Sequence, residues 1–223
     1  MADVVAHPSV HEERVSAEVI LGGALAETIT GAGVVVVSII GLAGFMPTIM
    51  LAIATIGLGM SFLFEGGAVV TRLSNLLSEA TEGRFDIAEL GGGLTVEFIA
   101  GFGGIALGVL SLVGVYPLVL TPIAAIAFGG ALVIGSGVKA RLNHLMISNH
   151  TENSLARTIA RETVLAISGV EILVGMGAIA LGVLGIIGML PRELTLVAIL
   201  SVGGMILLVG TALGGRMLSL FRR

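Results

Sequence analysis

The chain reads as an all-α integral membrane protein, with six transmembrane helices arranged as three repeated helical hairpins in a pseudo-threefold internal repeat. Three observations predict this class. The first is a period: Glu27, Glu97 and Glu171 each stand twenty residues before a proline (Pro47, Pro117 and Pro191), with offsets of 70 and 74 between copies. Gly31, Gly101 and Gly175 keep those offsets, as do Gly33, Gly103 and Gly177, Gly44, Gly114 and Gly188, and Gly59, Gly129 and Gly203. A fixed period marks one structural unit written several times. The second is composition: 56% apolar residues, 12% charged residues and a mean hydropathy of +1.10 lie far outside soluble usage. The third is distribution, because Thr28–Phe64 is a run of 37 uncharged residues and Phe98–Val138 one of 41. Each copy therefore holds two apolar segments of about twenty residues, the length of helix that crosses roughly 30 Å of hydrocarbon.

In chain order, residues 1–14 form a polar tail. They include His7, His11, Glu12 and Glu13 but no apolar run before the first basic residue, so no cleavable signal peptide is expected. Hairpin one covers 15–72, with its turn at Pro47. Proline disfavours helix in the residue before it and suits the first position of the helix that follows. A polar joint, 73–90, leads to hairpin two (91–138, turn at Pro117). A second joint, 139–163, leads to hairpin three (164–217, turn at Pro191), and a basic end follows at 218–223. The joints are expected to extend the helices amphipathically, along the membrane surface or off it. Ten of the eleven Lys and Arg residues fall on the side of the termini and joints, and only Arg192 falls by the turns. That bias predicts a cell (inner) membrane protein with both termini cytoplasmic.

The 34 glycines are explained by packing. From each repeat glutamate, steps of 4, 7, 11 and 14 residues stay on one helix face. They give Gly31, Val34, Ser38 and Gly41 in copy one. Copy two has Gly101, Gly104, Gly108 and Ser111, and copy three has Gly175, Ala178, Gly182 and Gly185. Small faces let helix backbones approach closely, which drives association where lipid supplies no hydrophobic force. Two arrangements follow: the three first helices meet about a central axis with the second helices outside, or each stripe faces its own hairpin partner. Gly59, Gly129 and Gly203 favour close contact within hairpins.

Several function classes are excluded. With no cysteine there is neither a disulfide nor a thiolate metal site. No phosphate-binding loop occurs, because the Gly-x-Gly strings lie inside apolar helices. The scattered basic residues without aromatics give nucleic-acid binding no support. No cofactor or catalytic constellation is evident, and a histidine–metal site (His7, His11, His144 and His150) has only weak support.

The glutamates are the candidates for chemistry. Ionisable groups in membrane segments are costly and mark function or pairing. Glu27, Glu97 and Glu171 stand about 30 Å of helix from the turns, near the boundary on the side of the termini. One reading pairs them with basic residues at the ends of second helices, Arg72 and Arg216 at equivalent positions and Arg141 one residue short. The other makes them, with Glu65 of copy one, a cation or proton site. The first reading expects at least two of the three to be satisfied by basic, hydroxyl or helix-end groups rather than by one another.

Two resemblances carry further expectations. Gly169-Val170-Glu171-Ile172, Gly182-Val183-Leu184-Gly185, Pro191, Leu194-Thr195-Leu196 and Gly203-Gly204, on a layout of three Gly-rich hairpins from about Val15 to Phe221, resemble the HdeD-like family of small acid-resistance membrane proteins. That resemblance implies an inner-membrane protein linked to acid or stress tolerance, without a catalytic site. Gly22-Gly23-Ala24-Leu25-Ala26-Glu27 followed by Gly31-Ala32-Gly33 is similar to the carboxylate helix of multi-hairpin rotary-ATPase proteolipid subunits. Taken together, the sequence predicts a non-enzymatic structural, accessory or stress-tolerance membrane protein. Its expected partners are membrane lipids and either further copies of itself or other membrane subunits. The alternative is a proton or cation pathway through the repeat glutamates.

Overall fold

The computed structural model describes the backbone of residues 10–79, 87–150 and 154–221, and the side chains of 25–65, 96–137 and 168–211. Six helices fill it: α1 (Val10–Leu42), α2 (Pro47–Glu79), α3 (Ile87–Leu112), α4 (Pro117–His150), α5 (Ser154–Ile186) and α6 (Pro191–Phe221). There is no strand among the described residues. Five of the helices carry apolar stretches of 18 residues or more, enough to cross a bilayer, and the stretch described in α3 is Val96–Leu112. The protein is an all-α, multi-pass membrane protein. Both polar joints are largely helical: α2 runs to Glu79 and α3 begins at Ile87, while α4 runs to His150 and α5 begins at Ser154.

The three turns share one design. In the first, the Gly44 amide donates to the Gly41 carbonyl at 3.1 Å and the Phe45 amide to the Ile40 carbonyl at 3.3 Å. This is the paired bonding of a Schellman motif, with the left-handed residue just past the helix. Gly44, Gly114 and Gly188 take φ of +92°, +93° and +94°. The residues before the prolines, Met46, Tyr116 and Leu190, have φ of +38°, +37° and +42°. The carbonyls of Met46 and Tyr116 each accept two amides from the next helix, and that of Leu190 accepts the amide of Leu194. Pro47, Pro117 and Pro191 are the first residues of α2, α4 and α6, where the missing N–H leaves no bond unmade.

The helices pack in neither of the two expected arrangements. The second helices, α2, α4 and α6, touch one another at the centre, and among the described residues no first helix touches another first helix. Each first helix lies outside, in the groove between two second helices: α3 between α2 and α4, α5 between α4 and α6, and α1 between α6 and α2. The last of these contacts closes the ring.

The small-residue stripes explain the arrangement. A Cβ on Gly101 would stand 2.9 Å from the Gly59 carbonyl oxygen, and one on Gly59 would stand 2.7 Å from that of Gly101. Gly175 and Gly129 face each other in the same way, at 2.6 and 2.5 Å. Gly31 meets the Leu207 backbone nitrogen at 2.9 Å, and Gly203 receives Val34. Gly108 packs on Ile56 and the Ala52 carbonyl, and Gly182 on Ile126 and the Pro122 carbonyl. These close approaches join each first helix to the second helix of the neighbouring hairpin. The expectation that Gly59, Gly129 and Gly203 tighten their own hairpins is therefore corrected: they meet Gly101, Gly175 and Val34 of a neighbouring hairpin's first helix. Contacts within hairpins use larger side chains: Gly104 admits the Phe128 ring, and Gly185 lies against Thr195 of α6 as well as Pro122 of α4.

The core on the axis is apolar and filled. Leu51, Leu58, Phe62, Phe128, Leu132, Leu196, Ile199 and Val202 are all essentially inaccessible. Phe62 and Phe128 stack with centroids 5.2 Å apart and planes 13° apart. Such a pair contributes about 1 kcal/mol beyond its buried area.

Candidate functional site, an acidic recess at the end of the bundle nearer the termini

The repeat carboxylates occupy equivalent places on the three outer helices, and all are buried: Glu27 is 7% exposed, Glu97 0% and Glu171 4%. The ring architecture turns each of them inward, toward the second helices. Their surroundings differ because the facing position on the second helix differs. That position holds Glu65 in copy one, Gly135 in copy two and Val209 in copy three.

Glu27, Glu65 and Glu171 line one small, partly open recess with Leu132, Met205, Ile206 and Val209. Two of the three repeat glutamates are thus brought to a common space, and Glu65 joins them from α2. Glu97 is placed elsewhere. Its carboxylate lies directly over Gly135, so close that a Cβ there would overlap Oε1.

Hairpin one adds hydroxyls that the sequence reading did not single out. Ser61 Oγ donates to Thr30 Oγ1 at 2.8 Å across the α1–α2 contact, and Thr30 donates to the Ala26 carbonyl at 2.7 Å. Thr30 follows Glu27 by three residues and Ser61 precedes Glu65 by four, so each lies on its glutamate's helix face. That spacing was the signal available in the sequence. The equivalent pairs, Ala100 with Ala131 and Val174 with Met205, carry no hydroxyl. The paired hydroxyls beside the repeat glutamate are thus a feature of hairpin one.

Toward the turns the described polar groups are isolated hydroxyls, and those of Ser38 and Ser111 are buried with no hydrogen-bond partner. Thr55, Thr121 and Thr195 are buried, and each donates back to its own helix, to the carbonyls of Leu51, Pro117 and Pro191 at 2.8, 2.6 and 2.6 Å. The apolar lining of the recess is Leu132, Met205, Ile206 and Val209.

Arg72, Arg141 and Arg216 belong to α2, α4 and α6, but their side chains lie outside the described residues, as do those of the four histidines. The proposed ion pairs and the histidine site therefore fall outside what the structure describes. Among the described residues no group of three or more His, Asp or Glu is arranged to hold a metal ion. No protein-family model matches the chain, and no curated protein or solved structure matches it.

Proposed function

We propose that this protein is a non-enzymatic structural or accessory component of the cell (inner) membrane, with both termini cytoplasmic, which associates with itself or with other membrane subunits. A role in acid or stress tolerance is the form of that function implied by the HdeD-like resemblance. The observation that carries the reading is the filled axis: the six helices spend their small faces on one another, and a plug of aliphatic side chains and stacked rings separates the acidic recess from the turns. A second feature supports association. Gly33, Gly103 and Gly177 stand at equivalent points of the outer helices, with nothing within 4 Å of where a Cβ would be. Such points allow close approach of another helix in lipid. Native-mass determination of the detergent-solubilised protein is the test. The expected result is a species heavier than the 22.6 kDa chain, or one carrying a partner. A strictly monomeric species without a partner would sink the proposal.

One observation favours the alternative of a proton or cation site: Glu27, Glu65 and Glu171 share a recess of low polarity. Carboxylates held in such surroundings exchange protons or bind cations to offset the cost of burying charge. Replacing Glu27, Glu97 and Glu171 together by Gln tests it in liposomes. Unchanged conductance and pH response would end that reading.

A further inference from the structure

The end of the bundle that carries the turns has an unusual surface. Phe45, Met46, Val115, Tyr116, Met189 and Leu190 stand exposed in three pseudo-equivalent turns, Tyr116 at 76% and Leu190 at 65%. From residue 42 to 50, 112 to 120 and 186 to 194, only Arg192 and Glu193 carry a charge. Turns that face water place Gly, Asn or Asp at left-handed positions. Here Met46, Tyr116 and Leu190 occupy the positive-φ position before proline, although a bulky side chain there is strained. The choice of residue runs against local backbone preference, so a large apolar side chain at the tip serves something outside the chain.

We propose that this apolar crown is seated in the lipid leaflet opposite the termini, at the boundary between headgroups and acyl chains, rather than standing in water. Two independent features of the structure fit lipid as its occupant. The crown is continuous with the lipid-facing belt of the outer helices, where Ile29, Val36, Ile39, Ile99, Val109, Leu173 and Val183 are exposed. No polar collar separates belt from crown in hairpins one and two. Most of the turn backbone in hairpins one and two is also satisfied internally, the amides of Met46, Thr48, Tyr116 and Leu118 excepted. The amides of residues 43, 44, 45, 49 and 50 all donate to carbonyls of the same hairpin, as do those of 113, 114, 115, 119 and 120, and each proline has no N–H to satisfy. Backbone enters hydrocarbon only when its polar groups are met internally, and the few amides left over place the turns at the headgroup boundary rather than deeper. Tyr116, the single tyrosine, and Arg192 fit the headgroup level, where amphipathic and snorkelling side chains collect. The protein is therefore one-sided: water and soluble partners reach it from the end that bears the termini.

The absence of cysteine allows a direct test. Phe45→Cys, Val115→Cys and Met189→Cys, one per turn, are each labelled with bimane in nanodiscs of phosphatidylcholine and phosphatidylglycerol that hold one copy. Val36→Cys marks the middle of the span, and the same variants unfolded in dodecyl sulfate mark full exposure. The expected result is blue-shifted emission, loss of most iodide quenching relative to the unfolded protein, and stronger quenching by headgroup-proximal than by deep nitroxide lipid, with Val36→Cys showing the reverse depth order. Iodide quenching equal to that of the unfolded variants would overturn the proposal, because the crown would then stand in water. Shielding from both iodide and nitroxide lipid would overturn it too, because protein would then cover the crown.

Discussion

Gly135 shows how a single residue sets the character of one copy. It is buried, and the Glu97 carboxylate occupies the space its Cβ would take. At the equivalent position the other copies carry Glu65, which lines the shared recess, and Val209, which gives the recess an apolar wall. The repeat fixes where the glutamates stand, and the facing residue decides whether each meets open space or backbone. Gly135→Ala is expected to displace the Glu97 side chain and to cost about 1–3 kcal/mol, as overpacking does. Because the clash is steric, Glu97→Gln should leave that penalty in place. Glu97→Ala should remove most of it, giving a large coupling in a double-mutant cycle. Thermal unfolding in detergent measures all the variants. A penalty relieved equally by Gln and Ala would mean that charge, not volume, is what Gly135 accommodates.

At the scale of elements, the turns were legible and the packing partners were not. The twenty-residue interval from glutamate to proline gave the hairpins, and proline placed the start of each second helix. The glycine three residues before each proline was visible only as part of the repeat, yet it is what ends the first helix. Gly→Ala at position 44, 114 or 188 is expected to cost about 1–2 kcal/mol each, the usual penalty for an L-residue held left-handed. The same change at Gly33 or Gly103, which meet nothing, should leave thermal stability nearly unaltered. Equal losses at both sets, in melts followed by circular dichroism, would remove the turn glycines from this role. The small-residue stripes also told the truth about close approach, but a stripe does not name its partner. The missing signal was on the second helices. Leu51, Ala54, Leu58 and Phe62 form one buried face of α2, and Ala52, Thr55 and Gly59 form another. A helix buried on two faces belongs at the centre, whereas the first helices keep one face lined by Ile, Val, Leu and Phe for lipid. The acidic recess was half legible. The repeat singled out the glutamates and placed them near the boundary on the side of the termini, but the meeting of Glu27 with Glu171 depends on α1 lying against α6, a contact that no local pattern encodes.

At the scale of the whole molecule, that contact turns three hairpins into a closed ring. Each hairpin hands its second helix to the first helix of the next, and α6 hands on to α1, so the most distant parts of the sequence become neighbours. Closure also builds the recess, since Glu27 and Glu171 flank opposite sides of α6. The seam differs from the other two joints: Val34 replaces the Gly104 and Ala178 of its equivalents and fills the space over Gly203. A Cβ on Gly203 would lie 3.1 Å from the Cβ of Val34. Disulfide-bonded residues hold their Cβ atoms at about 3.5–4.5 Å, a gap that a shift of a few tenths of an ångström supplies once the valine methyls are gone. In a chain without other cysteines, Val34→Cys with Gly203→Cys is therefore expected to form an intramolecular disulfide on mild oxidation in membranes. It would be seen as a faster-migrating, reductant-sensitive band of the same mass. The bond should also raise thermal stability, because it closes a loop of well over a hundred residues in the unfolded chain. An arrangement with the first helices at the centre, or with hairpins packed only within themselves, leaves the two positions apart. Persistence of both free thiols after oxidation would therefore reject the closed ring and, with it, the shared acidic recess.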